Sequence, residues 1–416
     1  MNRIWIFICG EPHEIDGDNI RLHRAVKISK YLSEKKNKKV TVFSSTFDHV
    51  KKVNRFNNDK IITISDNLKI HFLKTIPYKK NISIMRLISN FFLGIRLYFY
   101  LKKQKEKPDI ILSGFPPIET SLACILYAKI NKIKTIIDVR DLWPIIFIEN
   151  YSPKLKKILK YFLFPFKIMT NYVFNNTTSL ISISSRMLNW SQNYTSRKNT
   201  TNDDYIPFSY IDSSNIQIKK TEKIQKLEKV ILNKFNITLI GNVTTTLQFQ
   251  TIYDSLSILK KYPDIQFIIC GAGDYLEETK EQCKNFDNVI FTGWINQDEI
   301  RFILRNSKLG IIPYRNDINL STAMPNKFSE YLSFGLPIIT CLIGSVSEII
   351  EKEKIGIIYQ NLKYKDLITK LLNLYNNREL LEKYSFNSRK LFLNKFEEKD
   401  NHEKIYNHIK KVYNSK

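Results

Sequence analysis

The sequence predicts an α/β protein of two Rossmann-like domains, with parallel sheets that face each other across a cleft. Short apolar runs alternate with longer segments of helical period along most of the 416 residues. This alternation breaks once, in a polar, lysine-rich stretch at residues 207–232, and then resumes. Both halves contain an apolar run that ends in Cys-Gly, at Cys9-Gly10 and at Cys270-Gly271. Two open sheets of similar size therefore leave a cleft between them.

The apolar runs lack the polar alternation of half-exposed strands, so we expect strands covered by helices on both faces. Strands joined by helices in this way form parallel sheets. In the first half the predicted strands are Ile4–Ile8, Val40–Phe43, Ile110–Leu112, Thr135–Val139 and Leu180–Ile183. In the second half they are Asn236–Ile240, Gln266–Cys270, Val289–Phe291, Leu309–Pro313 and Pro337–Thr340.

The helices are predicted from a period of 3.6 residues. In the first helix, the residues that share one face are Leu22, Ala25, Val26, Ser29 and Leu32. Asp16 and Asp18 precede this helix, where carboxylates accept hydrogen bonds from free backbone amides. We therefore interpret these two aspartates as N-caps rather than as a pair that binds metal.

The break in the pattern sets the predicted domain limits. We predict a first domain at residues 1–207, a linker at 208–232, a second domain at 233–384, and C-terminal helices at 385–416 that pack back toward the first domain. The sequence contains no run of about 18 consecutive apolar residues, so no transmembrane helix is predicted.

The chain is strongly basic, with 65 Lys and Arg residues against 40 Asp and Glu residues and a net charge of +25. Residues 1–210 hold 35 basic and 16 acidic residues, whereas residues 211–416 hold 30 and 24. This asymmetry predicts that the first half contacts an anionic partner: lipid, nucleic acid or phosphates. Lysine on every exposed face would explain the total charge but not its distribution.

The cysteine and histidine patterns argue against metal sites and disulfides. The five cysteines are widely spaced and odd in number, which indicates a reducing cytoplasm. The six histidines show no HxxxH or HExxH spacing, so we expect no metal ion. The first apolar run follows Met1 too closely and is too short for a secretory signal.

Two glycine-containing strand ends in the second half have features of nucleotide sites. These are Gly271-Ala-Gly273 and Gly293-Trp294-Ile295. Glycine lets backbone amides approach an anion closely, and an aromatic ring can flank a nucleobase. A GxG without a third glycine also fits a plain turn, and the tryptophan also fits a core position.

The stretch Met324–Pro337 places a lysine and a glutamate near the start of a predicted helix. Lys327 and Glu330 are three residues apart, so they share one helical face. A lysine with helix amides can bind a diphosphate, and a carboxylate can accept hydrogen bonds from ribose hydroxyls. A surface ion pair is the alternative interpretation.

Three charged residues crowd the carboxyl end of the strand Thr135–Val139. They are Asp138, Arg140 and Asp141. Because ligands of open α/β sheets bind at such strand ends, we favour a functional role over a structural ion pair.

Two basic, aromatic-rich segments, 82–103 and 153–176, place large apolar residues among lysines at helical spacing. This pattern is typical of helices that lie on an anionic bilayer. Core helices with a lysine-rich solvent face show the same pattern, and both interpretations stay open.

In this order, the stretches resemble a retaining glycosyltransferase of family 4, which has the two-domain GT-B fold. The resemblance covers nearly the whole chain and is most specific in Met324–Pro337, which is similar to the family's donor-site helix. Arg21–Arg24, Val42–His49 and Val139–Pro144 are similar to a bacterial subgroup that builds surface polysaccharides.

The resemblance implies roles for individual residues. The implied catalytic residues are Lys327, Glu330, Arg140 and Asp141. The implied donor site comprises Gly241, Asn242, Gly271, Gly273, Gly293, Trp294, Ile295, Pro325, Asn326, Lys327 and Glu330, and the acceptor side Gly17, Asp18, Arg21, Arg140 and Asp141. The chain departs from the family at Thr322, the place of the first glutamate of a paired motif, and at Arg140, where many members have histidine.

The resemblance implies transfer of a hexosyl or N-acetylhexosaminyl group from a nucleotide diphosphate sugar to a lipid-linked saccharide, in the synthesis of capsule, O-antigen or another surface polysaccharide. No cofactor or metal is expected, and the protein is expected in the cytoplasm, peripherally bound to anionic lipid at the inner face of the membrane. Two alternatives stay open: a nucleotide-sugar epimerase or hydrolase of the same fold, and a basic non-enzymatic protein that binds membrane or nucleic acid. No nucleic-acid module is visible, so nucleic acid is not an expected partner.

Overall fold

The structure, a computed structural model, describes residues 1–17, 20–80, 83–148 and 151–415. The chain forms two compact units. The first comprises Met1–Pro207 and the C-terminal residues from His402 onward, and the second comprises Phe208–Asn401. The domain limits given above stay predictions beside this division.

The first unit contains ten strands and six helices before the chain enters the second unit, counted over the described residues. The strands are β1 (Arg3–Phe7), β2 (Lys39–Ser45), β3 (Phe47–Asp48), β4 (Val53–Asn54), β5 (Lys60–Ser65), β6 (Leu68–Leu73), β7 (Ile110–Phe115), β8 (Lys134–Val139), β9 (Ser179–Ser182) and β10 (Asp204–Tyr205). The helices are α1 (Arg24–Ser33), α2 (Ile84–Lys102), α3 (Ile118–Asn131), α4 (Pro153–Phe162), α5 (Phe164–Asn176) and α6 (Ser185–Tyr194), with 3-10 turns at Glu14–Asp16 and Ile145–Phe147.

Eight of these strands form one sheet in the order β10-β9-β8-β7-β1-β2-β6-β5, and β3 pairs with β4 separately. All neighbours in the large sheet are parallel except the edge hairpin of β5 and β6. The chain reverses its direction of strand addition between β1 and β7. In an open α/β sheet, this switch point is where ligands bind.

The second unit contains six strands, all parallel, and nine α-helices. The strands are β11 (Phe235–Ile240), β12 (Ile265–Cys270), β13 (Val289–Gly293), β14 (Leu309–Ile312), β15 (Ile338–Thr340) and β16 (Gly356–Ile358). The helices are α7 (Glu222–Ile231), α8 (Phe249–Leu259), α9 (Leu276–Cys283), α10 (Gln297–Arg305), α11 (Ile318–Thr322), α12 (Asn326–Ser333), α13 (Ser345–Glu353), α14 (Tyr364–Asn376) and α15 (Arg378–Leu391), followed by a π-helical turn at Phe392–Phe396.

The sheet of the second unit has the order β13-β12-β11-β14-β15-β16, the doubly wound order of a Rossmann domain. Its switch point lies between β11 and β14. Every residue of β11 and β12 is buried, as expected for strands covered by helices on both faces. The last helix of the chain, α16 (Glu398–Asn414), begins at the end of this unit, and its residues from His402 onward belong to the first unit.

The ten predicted strands are confirmed to within three residues at either end. The hairpin β5–β6 was not predicted, because β5 is an edge strand with exposed and half-buried residues in alternation rather than an apolar run. Two Rossmann-like units with parallel sheets are therefore confirmed, with one antiparallel edge added to the first.

The start of α1 differs from the prediction. The Glu11 carboxylate accepts hydrogen bonds from the amides of Ala25 and Val26, at 3.1 and 3.2 Å, and so caps this helix. The prediction that Asp16 caps α1 is wrong, because the 3-10 turn carries Asp16 away to Arg55, whose Nη2 donates to it at 2.7 Å. Asp18 lies outside the described residues.

In the part of the chain that the structure describes, one helix, α2, is long and apolar enough to cross a membrane by length and composition alone. An 18-residue stretch of this helix has a mean hydropathy of 1.3, and 33% of that stretch is buried. Core helices of soluble proteins pass the same test, so the absence of a transmembrane helix stays a prediction.

Candidate functional site

The second unit gathers most of its predicted site residues at the switch point of its sheet. β11 continues into Gly241, and β14 continues through Pro313 into Tyr314. Lys327, the second residue of α12, places its ammonium between these two strand ends. Its Nζ lies 4.6 Å from the centre of the Tyr314 ring and 3.2 Å from the point that a Cβ on Gly241 would occupy.

The Lys327 side chain is buried, with 6% of its surface exposed. Among the described residues, its Nζ has no hydrogen-bond partner. Burial of a charge without hydrogen bonds costs free energy, and an anion bound beside it offsets that cost. The position of Lys327 at a switch point therefore fits a site for an anionic ligand.

Glu330 lies one turn further along α12 and is 1% exposed. Burial raises the pKa of the Cys270 thiol to about 12, and the nearby Glu330 charge adds to that rise. Because Cys270 is the last residue of β12, the Glu330 carboxylate lies near the carboxyl end of that strand. Since Lys327 and Glu330 are both buried, an exposed surface ion pair does not describe them.

The glycines that follow β11 and β12 are required by the close packing of their loops. A Cβ on Gly271 would stand 2.1 Å from the Gly241 carbonyl oxygen, and a Cβ on Gly273 would stand 2.3 Å from that of Val243. Their φ angles, +132° and +152°, are also ones that other residues rarely adopt. The Gly271 amide in turn donates to the Gly293 carbonyl at 2.9 Å. The three strand ends therefore form one hydrogen-bonded rim.

The other predicted donor-site residues flank this rim. Trp294 is 66% exposed, so it is not the core residue that the alternative interpretation required. Ile295 is buried, and Asn242 is exposed after Gly241. Pro325 is the N-cap residue of α12, and Asn326 is the exposed first residue of that helix.

Two residues near the site were not found from the sequence. The Tyr331 hydroxyl accepts a hydrogen bond from the Ile240 amide at 2.9 Å and donates one to the Ile311 carbonyl at 3.3 Å. It thereby ties β11 to β14 at the switch point. The other is Tyr314, which carries the ring under Lys327. No spacing in the sequence distinguishes these tyrosines from the other 20.

Thr322 stands where the family has a first glutamate. Its side chain forms a hydrogen bond within its own helix, α11. Its hydroxyl donates to the Ile318 carbonyl at 2.8 Å. Its carbonyl accepts a hydrogen bond from the Ser345 hydroxyl at 2.8 Å, which joins α11 to the start of α13. The threonine therefore has a structural role in this loop.

In the first unit, Arg140 belongs to a buried network of charges at the carboxyl end of β8. Its Nε donates to Asp138 at 2.9 Å, and it also pairs with Glu11. Arg24 donates to the same Asp138 oxygen at 3.1 Å. Burial acts to raise the pKa of Asp138, but Arg24 and Arg140 outweigh it and hold that pKa below its usual value. Ion pairing thus fixes the ends of β1 and β8 and the start of α1.

The remaining acceptor-side residues are less enclosed. Asp141 and Arg21 are half-buried, and Gly17 is exposed at the end of the first 3-10 turn with φ at +136°. Asp18 lies outside the described residues. Within the ranges that the structure describes, no three His, Cys, Asp or Glu residues come together as a metal-binding group.

Glu119, the second residue of α3, is a buried carboxyl that the sequence did not reveal. It is 4% exposed, and among the described residues neither oxygen has a hydrogen-bond partner apart from its own backbone amide. Burial raises its pKa to about 7. The folded protein therefore holds a proton on Glu119 at a pH where the unfolded chain has lost it.

This difference predicts that stability falls as the pH rises. The proton bound by folded Glu119 stabilises the first unit below about pH 4.5, and this contribution is lost between there and about pH 7, roughly 2–4 kcal/mol in all. Glu119→Gln removes the titrating group, so at pH 8 we expect it to exceed the wild type in urea stability by about that amount. The exposed Glu34→Gln is the control, and identical pH profiles for Glu119→Gln and wild type would contradict the prediction.

Comparisons with known proteins agree with this geometry. Residues 220–391 match the family model for glycosyl transferases of group 1, so this stretch is similar to that family. The O-antigen chain mannosyltransferase C of Escherichia coli is 29% identical over 128 residues, which span 30% of this chain and 34% of that relative.

Solved structures extend the likeness to the whole chain. Sucrose-phosphate synthase from Thermosynechococcus elongatus has a TM-score of 0.74 at 11% identity and is covered over 99% of both chains. Anabaena HepE in complex with UDP has a TM-score of 0.67 at 12% identity, over 99% of this chain and 100% of that one. The predicted GT-B fold class is confirmed.

Proposed function

We propose, from the match of residues 220–391 to the group 1 glycosyl transferases, that this chain transfers a sugar from a nucleotide diphosphate sugar to a lipid-linked saccharide. The observation that carries the proposal is the Lys327 ammonium, buried at the switch point and lacking a hydrogen-bond partner among the described residues. The diphosphate is the anionic part of such a donor, and it supplies the counter-charge that Lys327 needs.

The same geometry supports a role for each part of the site. Negative charge develops on the departing nucleoside diphosphate, where Lys327 and the first amides of α12 stabilise it without a metal ion. The Glu330 carboxylate accepts hydrogen bonds from the ribose hydroxyls. With retention of configuration, the departing phosphate takes the proton of the attacking hydroxyl, so the proposal requires no protein base.

The acceptor half of the proposal rests on the surface of the first unit. The solvent-facing side of α2 is apolar, with Ile84, Ile88, Ile95 and Phe99 all exposed and Ile84 at 76%. Its opposite side is buried in the core. This apolar solvent-facing side of α2 supports a position at a lipid surface over that of a core helix with a lysine-rich solvent face.

α4 adds to this surface. Its Leu155, Ile158, Tyr161 and Phe162 are exposed, between the lysines of the same helix. Residues 151–202 hold eight basic residues and no acidic one. We name the exposed apolar residues of α2 and α4 the lipid-facing surface. Its charge suits an anionic bilayer at the cytoplasmic side, where lipid-linked saccharides are presented. Surface polysaccharide synthesis, as in the name of the E. coli relative, is the proposed context.

The experiment that tests this function measures nucleoside diphosphate release from a panel of sugar nucleotides, with and without bacterial membrane extract as the acceptor source. We expect Glu330→Ala to lower kcat/KM by about 10–100-fold, because hydrogen bonds to a charged group contribute about 1.5–3 kcal/mol. Glu351→Ala, on the exposed side of α13, is the control and retains wild-type rates. Unchanged turnover in Glu330→Ala would reject this site. Release of the nucleoside diphosphate without any acceptor would favour a hydrolase, and conversion of the sugar nucleotide into an isomer without such release would favour an epimerase.

A further inference from the structure

The end of β13 carries an exposed aromatic ring with a lysine beside it. Trp294 follows β13 directly, and the Nζ of Lys223, in the first turn of α7, donates a hydrogen bond to its carbonyl oxygen at 2.6 Å. Burial raises the pKa of the Cys270 thiol, and the charges of Lys223 and Glu330 act on that pKa in opposite directions, so both charges lie near the end of β12. Lys223 belongs to the predicted linker and not to the donor site that the resemblance implies, which makes it a new candidate for contact with the ligand.

The start of α7 is tied to the loop between β13 and α10. The hydroxyl of Thr221, the N-cap residue of α7, donates to one carboxylate oxygen of Glu299 in α10 at 3.1 Å. The other oxygen of Glu299 accepts a hydrogen bond from the Asn296 amide at 3.0 Å, so both oxygens of this carboxylate are in use. These bonds fix the helix turn that carries Lys223 relative to the end of β13.

The order of the strands places Lys223 where the base of a bound nucleotide lies. In the order β13-β12-β11-β14, Lys327 lies between the ends of β11 and β14, and Glu330 lies near the end of β12. Neighbouring strands are about 4.8 Å apart, so β13 ends about 10 Å from β11. A nucleotide whose diphosphate contacts Lys327 and whose ribose contacts Glu330 therefore extends its base toward Trp294 and Lys223.

The hydrogen-bond acceptors at the end of β13 already have donors from the protein. The Gly293 carbonyl accepts from the Gly271 amide and from the Thr292 hydroxyl, both at 2.9 Å. The Trp294 carbonyl accepts from Lys223. An ammonium has three N–H donors, of which this carbonyl takes one. The edge beside the exposed ring therefore offers hydrogen-bond donors to a base rather than acceptors.

We infer that Lys223 binds the nucleobase of the donor and selects a base with an oxo group. Its ammonium donates a hydrogen bond to that oxygen, O4 of uracil or O6 of guanine, while the base stacks on the Trp294 ring. Cytosine and adenine carry an amino group at the same position, and an amino group is a donor that cannot pair with an ammonium. The inference rests on the proposed function, of whose donor it names the class of base.

The experiment measures calorimetric binding of two matched pairs of nucleotides, UDP with CDP and GDP with ADP, to the full chain. In the pair that binds more tightly, we expect the oxo member to bind about 10-fold or more tightly than its amino partner. Lys223→Met lowers the affinity for the oxo member about 10-fold and leaves that for the amino member within about threefold, because only the oxo base loses a hydrogen bond to a charged group. Lys223→Arg keeps the charge and the N–H donors, so it retains the preference.

Lys226→Met, at an exposed position of α7, makes the same change of charge and is the control that keeps the wild-type preference. Equal or tighter binding of the amino member, or a preference for the oxo member that survives Lys223→Met, would overturn the inference. Lys327→Met separates the two proposals. If nucleotides bind only with Lys327 present but show no oxo preference, the role of Lys223 fails alone; if no nucleotide binds to the wild type, the proposed function fails as well.

Discussion

Lys327→Met is expected to lower kcat/KM for sugar transfer by about 10²–10³-fold while the protein stays folded. Removal of one charged or hydrogen-bonding group that stabilises a leaving group costs about 2.7–4 kcal/mol of transition-state stabilisation in other enzymes. Methionine keeps the length of the side chain and its contact with the Tyr314 ring. Because the Lys327 Nζ has no hydrogen-bond partner among the described residues, its removal leaves no acceptor unpaired there.

The measurement combines initial rates with thermal unfolding in the presence and absence of the nucleoside diphosphate. We expect the stabilisation by the nucleotide to disappear in Lys327→Met, since ligand-induced stabilisation follows affinity directly. Lys352→Met, at an exposed position of α13, is the matched control. Rates within threefold of the wild type, with the nucleotide effect retained, would show that Lys327 does not contact the donor.

The second large effect is expected at the lipid-facing surface. Ile88→Glu combined with Ile158→Glu should lower binding to vesicles of three parts phosphatidylcholine to one part phosphatidylglycerol by about 10²–10³-fold. Each isoleucine contributes about 1.5–3 kcal/mol when it is fully buried in an apolar medium, and each new carboxylate is repelled by the anionic lipid. Co-sedimentation with the vesicles measures the change directly.

A control with the same chemistry lies in the second unit. Ile343 and Leu362 are exposed apolar residues there, at 55% and 59%. Their double replacement by glutamate changes the net charge equally but leaves α2 and α4 intact, so vesicle binding should fall only slightly. If the two double variants bind vesicles alike, overall charge and not the lipid-facing surface governs the interaction.

The parallel strands of both units were predictable because each is a run of apolar residues with helices before and after it. β11 and β12 are clear examples, since all of their residues are buried. The doubly wound order then locates the switch points without any further information. The β5–β6 hairpin escaped prediction because an exposed edge strand has no such run.

The site was predictable only in part. The three-residue spacing of Lys327 and Glu330 places them on one helical face, but Lys327 is buried beside Gly241 and Tyr314, which are distant from it in the sequence. The burial of Glu119 and of Trp143 could likewise not be predicted from the sequence. Burial and missing hydrogen-bond partners are properties of the packed structure, and no local pattern encodes them.

The interlocked glycine loops have a consequence for engineering the donor preference of this protein. Since a Cβ on Gly271 or Gly273 would collide with a backbone carbonyl at 2.1 or 2.3 Å, no amino acid other than glycine fits either position without moving the main chain. Libraries that aim at a different sugar should therefore leave this rim unchanged.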